Sequence, residues 1–415
     1  MTDIRLAPVA TRPARQTAAT PGTAPGRWLW LAAWPVTAVF VLSNAATPLY
    51  ALWQRDIGFS RGTLTLVFAC YIAGLIGSLL VSGVLSDRIG RRPVLVPAVL
   101  LALVACGIFA TASSVAALMA ARLLTGIAVG AVVSAGMAAV SDVAGPARTR
   151  QAALLASTAM VLGAGLGPLL AGVLSETLPA PIATVFGVEA VLLVLALAVV
   201  LRMPLPRPAA GSGGSWIRVP GVPRGRGGDL LRGIAVFAPG ITATSFVLSL
   251  GPSLLSGLLG TTNRVVAGAM AFAMFLAATG VQFAVRRLRP ETVLLAGAVS
   301  TVLAMAALVG AVRLSSAVLL AAAALLAGAG QGLGQLGGLS LLNAGVPARR
   351  LAEANAAMNV GGYVPAGTLP VAAGFLSDAV GLPAGATVFA TVLAVAAAAG
   401  GLTVLARRGR AAESV

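Results

Sequence analysis

Two charges stand deep inside apolar sequence, Arg122 and Glu189: the carboxyl group can bind and release a proton, and the guanidinium, which keeps its charge, can attract or hold an anion. Arg122 lies seven residues into one long apolar segment and Glu189 eight residues into another. At ~1.5 Å of rise per residue both reach roughly 10 to 12 Å below the same surface. An unpaired charge at that depth is costly, so the two are expected to pair, directly or through water. A static buried pair is the plainer alternative.

A denser cluster is Gly83-Val84-Leu85-Ser86-Asp87-Arg88-Ile89-Gly90-Arg91-Arg92-Pro93. Leu64 to Leu85 before it and Val94 to Ala121 after it are free of charge, which predicts a short loop between two membrane-spanning helices. Gly83 lets a neighbouring helix approach, and Asp87 can then face a helix N-terminus, where the macrodipole favours a carboxylate. Arg88, Arg91 and Arg92 hold the loop in the cytoplasm and can pair with carboxylates of neighbouring helices.

The candidate substrate contacts are neutral. Ser43-Asn44-Ala45-Ala46-Thr47-Pro48-Leu49-Tyr50 and Ser249-Leu250-Gly251-Pro252-Ser253 place prolines at corresponding points of the first and seventh apolar segments. Matched interruptions of this kind point to a binding region, with Asn44 and Tyr50 facing substrate. Gln331 with Gln335, and Asn355 with Asn359, are each one helical turn apart and predict polar faces. Tyr71, beside Phe68, and Phe246 complete the set. Hydrogen bonding between helices is an equally good use for any one amide. His is absent, and Cys70 and Cys106 sit in apolar sequence, so metal clusters, disulfide frameworks, cofactor-ligating sets and His-based catalysis lack material.

The elements that must position these groups follow from composition. The chain is 58% hydrophobic and 9% charged, which describes an integral membrane protein in a lipid bilayer, all-α because its apolar runs have the length of spanning helices; the absence of His and the few intramembrane acids argue against an enzyme. Its net charge of +17 is carried by arginines in short loops, a topological pattern that does not point to nucleic acid. About twelve segments are long enough to span a bilayer. Arg88, Arg91, Arg92, Arg148, Arg150, Arg202, Arg349 and Arg350 fall at one end of them, against only Arg55, Arg61, Arg264 and Arg313 at the other, which places both termini in the cytoplasm. Residues 1–27 are expected to be a disordered basic tail and 407–415 a short C-terminal tail. Residues 202–231, centred on Gly211-Ser212-Gly213-Gly214, are expected to be a flexible linker between six-helix bundles at 28–201 and 232–406. An internal repeat supports the division: at a shift of 202, Leu123-Leu124-Thr125-Gly126 meets Leu325-Leu326-Ala327-Gly328, and Gly165, Pro168 and Gly172 meet Gly367, Pro370 and Gly374. Two such halves imply a pseudo-two-fold axis and a central cavity.

The segment from Gly83 to Arg92 resembles the loop signature of the major facilitator superfamily, G-x-L-[SA]-D-R-x-G-R-[RK], at every fixed position. Gly163-Ala164-Gly165-Leu166-Gly167-Pro168-Leu169-Leu170-Ala171-Gly172 resembles the G-x-x-x-G-P-x-x-G-G signature of drug:proton antiporters, with Ala171 in place of one glycine. Arg122 falls on the arginine of a motif similar to the family's R-x-x-x-G-x-x-x-G, associated with proton transfer. The resemblance implies the family fold, usually monomeric, and a charge relay in which Asp142 pairs with Arg91. The family's common acid on the first helix is absent, with Asn44 nearby instead, which leaves Glu189 as the leading proton carrier by elimination. The expected function is export of small, largely apolar compounds from the cell across its plasma membrane, by proton antiport with alternating access. A sugar or other nutrient facilitator or symporter is the alternative on the same fold.

Overall fold

The computed structural model describes residues 26–205, 216–260, 262–285 and 287–413. The first half contains α1 (Gly26–Ala45), a 3-10 turn (Thr47–Leu49), α2 (Tyr50–Ile57), α3 (Arg61–Ile89), α4 (Arg92–Thr111) and α5 (Val115–Ala131). A π-helical turn (Val132–Gly136), α6 (Met137–Ala144), α7 (Thr149–Thr177) and α8 (Pro181–Arg202) complete it. The second half contains α9 (Gly227–Leu259), α10 (Arg264–Val285), α11 (Pro290–Leu314), α12 (Ala317–Gly345), α13 (Leu351–Val380) and α14 (Leu382–Glu413). No strand occurs among the described residues.

The first span is α1 with α2, and the fourth is α5 with α6, so the described chain forms two bundles of six rods. Eleven of the rods are apolar and long enough to cross a bilayer. The other, α13, is 30 residues long but carries Glu353, Asn355, Asn359 and Asp378. The outer faces of the bundles expose Val191, Val194, Leu195, Val318 and Val395, as a lipid-facing surface requires.

The repeat is visible in the packing. Ser114 and Ser316, 202 residues apart, each cap a helix by accepting the backbone N–H of Ala117 or Leu319. One turn beyond the position of Arg122, Gly126 of α5 lies against the Tyr71 carbonyl of α3, and Gly328 of α12 lies against the Met274 carbonyl of α10. The small residues bring these backbones into contact in both halves. The halves meet where α7 packs on α10 and α3 on α13.

Three expectations need correction. Pro48 does break its helix, but α9 runs unbroken for 33 residues through Pro239 and Pro252, so the interruptions are not matched. A proline removes one backbone bond, and packing on both sides keeps this helix on course. The charged cluster is mostly the last turns of α3, which ends at Ile89. Gly90, at φ +98°, makes the bend and needs to be glycine for that reason. Residues 216–226 of the linker are seated against the arginine-rich ends of the bundles, and α9 starts at Gly227. Residues 1–25 of the basic tail and Gly211-Ser212-Gly213-Gly214 lie outside the described residues.

Candidate functional site: buried charges and the two gates

At the arginine-rich end, Arg91 is the hub. Its Nη1 donates to Asp87 Oδ1 at 2.6 Å and to Ser86 Oγ at 2.8 Å, while its Nε donates to Asp142 Oδ2 at 2.9 Å. The π-helical turn lies between Arg122 on α5 and Asp142 on α6, so one rod connects the deep charge to this gate. Burial works against the charge of Arg91, but the bonds to Asp87 and Asp142 outweigh it and raise its pKa above that of an ordinary arginine. Arg92 Nη2 donates to the Met203 carbonyl at 2.7 Å, beyond the end of α8. Arg88 lies 4.4 Å from the ring centre of Trp216.

Asp87 does not cap α13 in this arrangement. Its second oxygen is 3.8 Å from Nη2 of Arg218, a linker residue whose guanidinium also covers Gly83 and whose N–H donates to the Leu80 carbonyl at 2.8 Å. The space left by Gly83 is therefore taken by the linker. Gly221 N–H then reaches the Glu353 carbonyl at 3.3 Å, so the strap touches both halves.

Arg122 and Glu189 are not a pair. Arg122 Nε donates to the Tyr50 hydroxyl and Nη1 to the Ser43 carbonyl at 2.6 Å, with the rings of Tyr50, Phe68, Tyr71 and Phe109 around its Cζ. Nη2 is buried without a hydrogen-bond partner. Glu189 is buried on α8, also with one oxygen unpartnered. Equal depth did not make them neighbours, because α8 packs mainly on α4 and α1 whereas α5 packs mainly on α3 and α4. On the α4 and α8 side of Arg122 stand Phe109 and Phe186, stacked 5.1 Å apart, with Trp53 tilted against both.

The candidate substrate contacts separate into two groups. Tyr50 is committed to Arg122, and Asn44 is buried with Nδ2 donating to Ser43 Oγ at 3.0 Å and to the Ala164 carbonyl of α7 at 3.4 Å. Phe246 is also a correction: it is fully buried and stacked on Phe389 at 4.2 Å inside the second bundle, so it packs the core. Gln331, Gln335, Asn355 and Asn359 remain half-buried, and the side-chain oxygens of Gln331 and Asn355 lack partners. Tyr71 lies between bundles together with Tyr363, a residue the sequence reading passed over, which packs edge-on against Phe237 at 6.3 Å. The chain has only three tyrosines, and all three line Arg122 or the bundle interface, a signal that their scarcity carried.

The glycines of α7 serve two different contacts. Gly163 and Gly167 lie on the backbone carbonyls of Thr37 and Val41 in α1, within the first bundle. Gly172 lies on the Arg264 carbonyl of α10, and the carbonyl of Pro168 touches Gly268, so this end of α7 seals against the other bundle.

Two helical bundles with lipid-facing surfaces, a polar interface and contacts at both ends define a membrane transporter. The chain belongs to the Major Facilitator Superfamily, whose family profile matches residues 29–366. It is 35% identical over 164 residues to the 4-hydroxybenzoate transporter PcaK of Pseudomonas aeruginosa, covering 37% of this chain and 34% of that one. It is 31% identical over 141 residues to human Major facilitator superfamily domain-containing protein 10, covering 31% of each. The multidrug resistance protein MdtL of Escherichia coli is 33% identical over 75 residues, 18% of this chain and 19% of that one. The aligned parts thus span about a third or less of these relatives. Among solved structures, a bacterial homolog of the lysosomal transporter Spinster, inward-facing and occupied, superposes with a TM-score of 0.70 at 12% identity over 90% of this chain and 96% of that one. The human organic anion transporter MFSD10 gives 0.61 at 20% identity over 91% and 98%.

Proposed function

We propose that the chain exports small, largely apolar compounds across the plasma membrane in exchange for protons, with both termini in the cytoplasm and the monomer as the working unit. The observation that carries this reading is Glu189. Among the described residues it is the one carboxylate buried in a bundle without an ion pair, and one of its oxygens has no partner. A carboxylate so placed is positioned to carry a proton and to exchange it when water or a cation reaches it. The seal of α7 against α1 supports export, since close backbone packing leaves no aqueous leak beside the pathway, and the similarity to MdtL points the same way. In sealed vesicles with an imposed pH gradient, Glu189→Gln should abolish concentrative transport while leaving substrate binding and downhill exchange intact. Uphill transport by that variant at wild-type proton dependence would refute the coupling role.

Arg122 favours a second reading, transport of aromatic organic anions. Its Nη2 is buried, unpartnered and ringed by aromatic side chains, a setting suited to an aryl carboxylate if Phe68 and Tyr71 turn aside. The relatives named for 4-hydroxybenzoate and organic anions agree with that chemistry. Inhibition of transport by 4-hydroxybenzoate, lost in Arg122→Gln, would favour it over neutral cargo.

A further inference from the structure

Two acidic residues, Glu176 and Asp378, stand at the arginine-poor end. Asp378, near the end of α13, accepts the backbone N–H of Arg61 at 3.0 Å and of Gly62 at 2.8 Å, the first amides of α3 in the opposite bundle. Glu176, near the end of α7, accepts the backbone N–H of Arg264 at 2.8 Å, the first amide of α10 in the opposite bundle, and its Nε at 2.9 Å. The two acids are 202 residues apart (378 − 176), which is the shift of the repeat.

The match extends one turn deeper. Gly172 and Gly374, each four residues before its acid, sit at these crossings: Gly172 lies on the Arg264 carbonyl, and Gly374 lies on the Thr65 side chain with the Arg61 carbonyl beside it. Each unit is thus a carboxylate on a helix N-terminus with a glycine one turn before it that lets the two helices touch. The N-terminal amides of α3 and α10 need an acceptor, and the macrodipole favours an anionic one. Both bonds cross between bundles, so both must break when this end opens. An ordinary helix cap, which lies within one bundle, would survive that motion.

We propose that Glu176 and Asp378 are gating residues: repeat-related clasps that hold this end of the transporter shut and set the balance between its two open forms. The clasps differ in one respect. Asp378 binds only backbone, whereas Glu176 also binds the Arg264 guanidinium, so no change of a partner side chain can remove the first. The inference is independent of cargo and of proton coupling.

The test uses full-length protein in lipid nanodiscs, with Cys70 and Cys106 replaced by alanine. Spin labels at Arg55→Cys and Val380→Cys report the distance across the clasped end, and labels at Arg150→Cys and Arg349→Cys report the other end. Glu176→Gln and Asp378→Asn keep side-chain size and remove the charge. Each should raise the ratio of long to short distances at the clasped end by roughly two- to fivefold, the effect of one charge at a helix terminus. The double variant should raise it by about the product of the two. The opposite end should close in step, while Glu291→Gln at that far end changes neither distance. An unchanged distance at the clasped end in the folded double variant would overturn the proposal. So would broadening at both ends together, which would mark loosened packing in place of a shifted gate.

Discussion

The crossing of α3 with α5 and the crossing of α10 with α12 have the same construction and different contents. Each has a serine cap and a glycine packed on the carbonyl of its partner helix. At the matching position the first half buries Arg122 among aromatic rings, and the second buries Ala324; both are 0% exposed. The scaffold therefore needs the glycines and not the guanidinium. Arg122 is a costly addition to a fold that stands without it, and this marks the first half as the place where function has been added. The gate at the arginine-rich end repeats the contrast: Asp87, Arg91 and Asp142 interlock in the first half, while Val285-Arg286-Arg287-Leu288-Arg289-Pro290 in the second has no acid.

The largest expected effect comes from exchanging the contents. Ala324→Arg places a cation in a fully buried site shaped for a methyl group, within an apolar cluster. A loss of about 3–5 kcal/mol or more should follow, seen as collapse of monodisperse yield and melting temperature in detergent. Arg122→Leu should cost no more than about 2 kcal/mol, because an apolar residue suits the surrounding rings, while transport falls at least about tenfold. If Arg122→Leu were the less stable of the two, the view of one scaffold with different contents would fail.

Next come the shared parts. Gly126→Ala and Gly328→Ala each drive a methyl group into a carbonyl of the neighbouring helix, Tyr71 or Met274, and should cost about 1–3 kcal/mol apiece, to a similar extent. Unequal melting shifts would show that the two crossings only look alike.

This contrast also explains what could be read from the chain in advance. Helices, halves and repeat were legible because they rest on apolar length and on glycine spacing, which are local properties. The pairing of Arg91 with Asp142 was reached through a resemblance, and the geometry agrees with it. Pairing Arg122 with Glu189 failed because depth along the membrane normal fixes one coordinate, whereas the angular order of helices fixes the other two. Tyr50, the true partner of Arg122, looked like a substrate contact because the break at Pro48 redirects it. The acids of the clasped end were invisible as partners, since backbone amides leave no mark in side-chain sequence.

The smallest effect on stability, and the finest test of the contrast, is at the arginine-rich gate. Both acids hold Arg91, but Asp142 reaches it from α6 across the bundle, whereas Asp87 sits four residues before it and is 54% exposed. A half-exposed pair within one chain segment contributes about 0–1 kcal/mol, so Asp87→Asn should leave melting nearly unchanged and Asp142→Asn should lower it slightly more. Transport should rank them the other way. In the present arrangement Asp87 is occupied by Arg91 and by Arg218 of the strap, and closing this end would bring the N-terminus of α13 within its reach, where only a carboxylate gains from the dipole. Asp87→Asn therefore weakens the form closed at this end and slows the cycle severalfold, roughly 0.5–1 kcal/mol of one step. The corresponding segment of the second half, Val285 to Pro290, carries no acid of its own. Measured on well-inserted protein, wild-type transport rates in Asp87→Asn would show that this carboxylate only neutralises the arginines beside it.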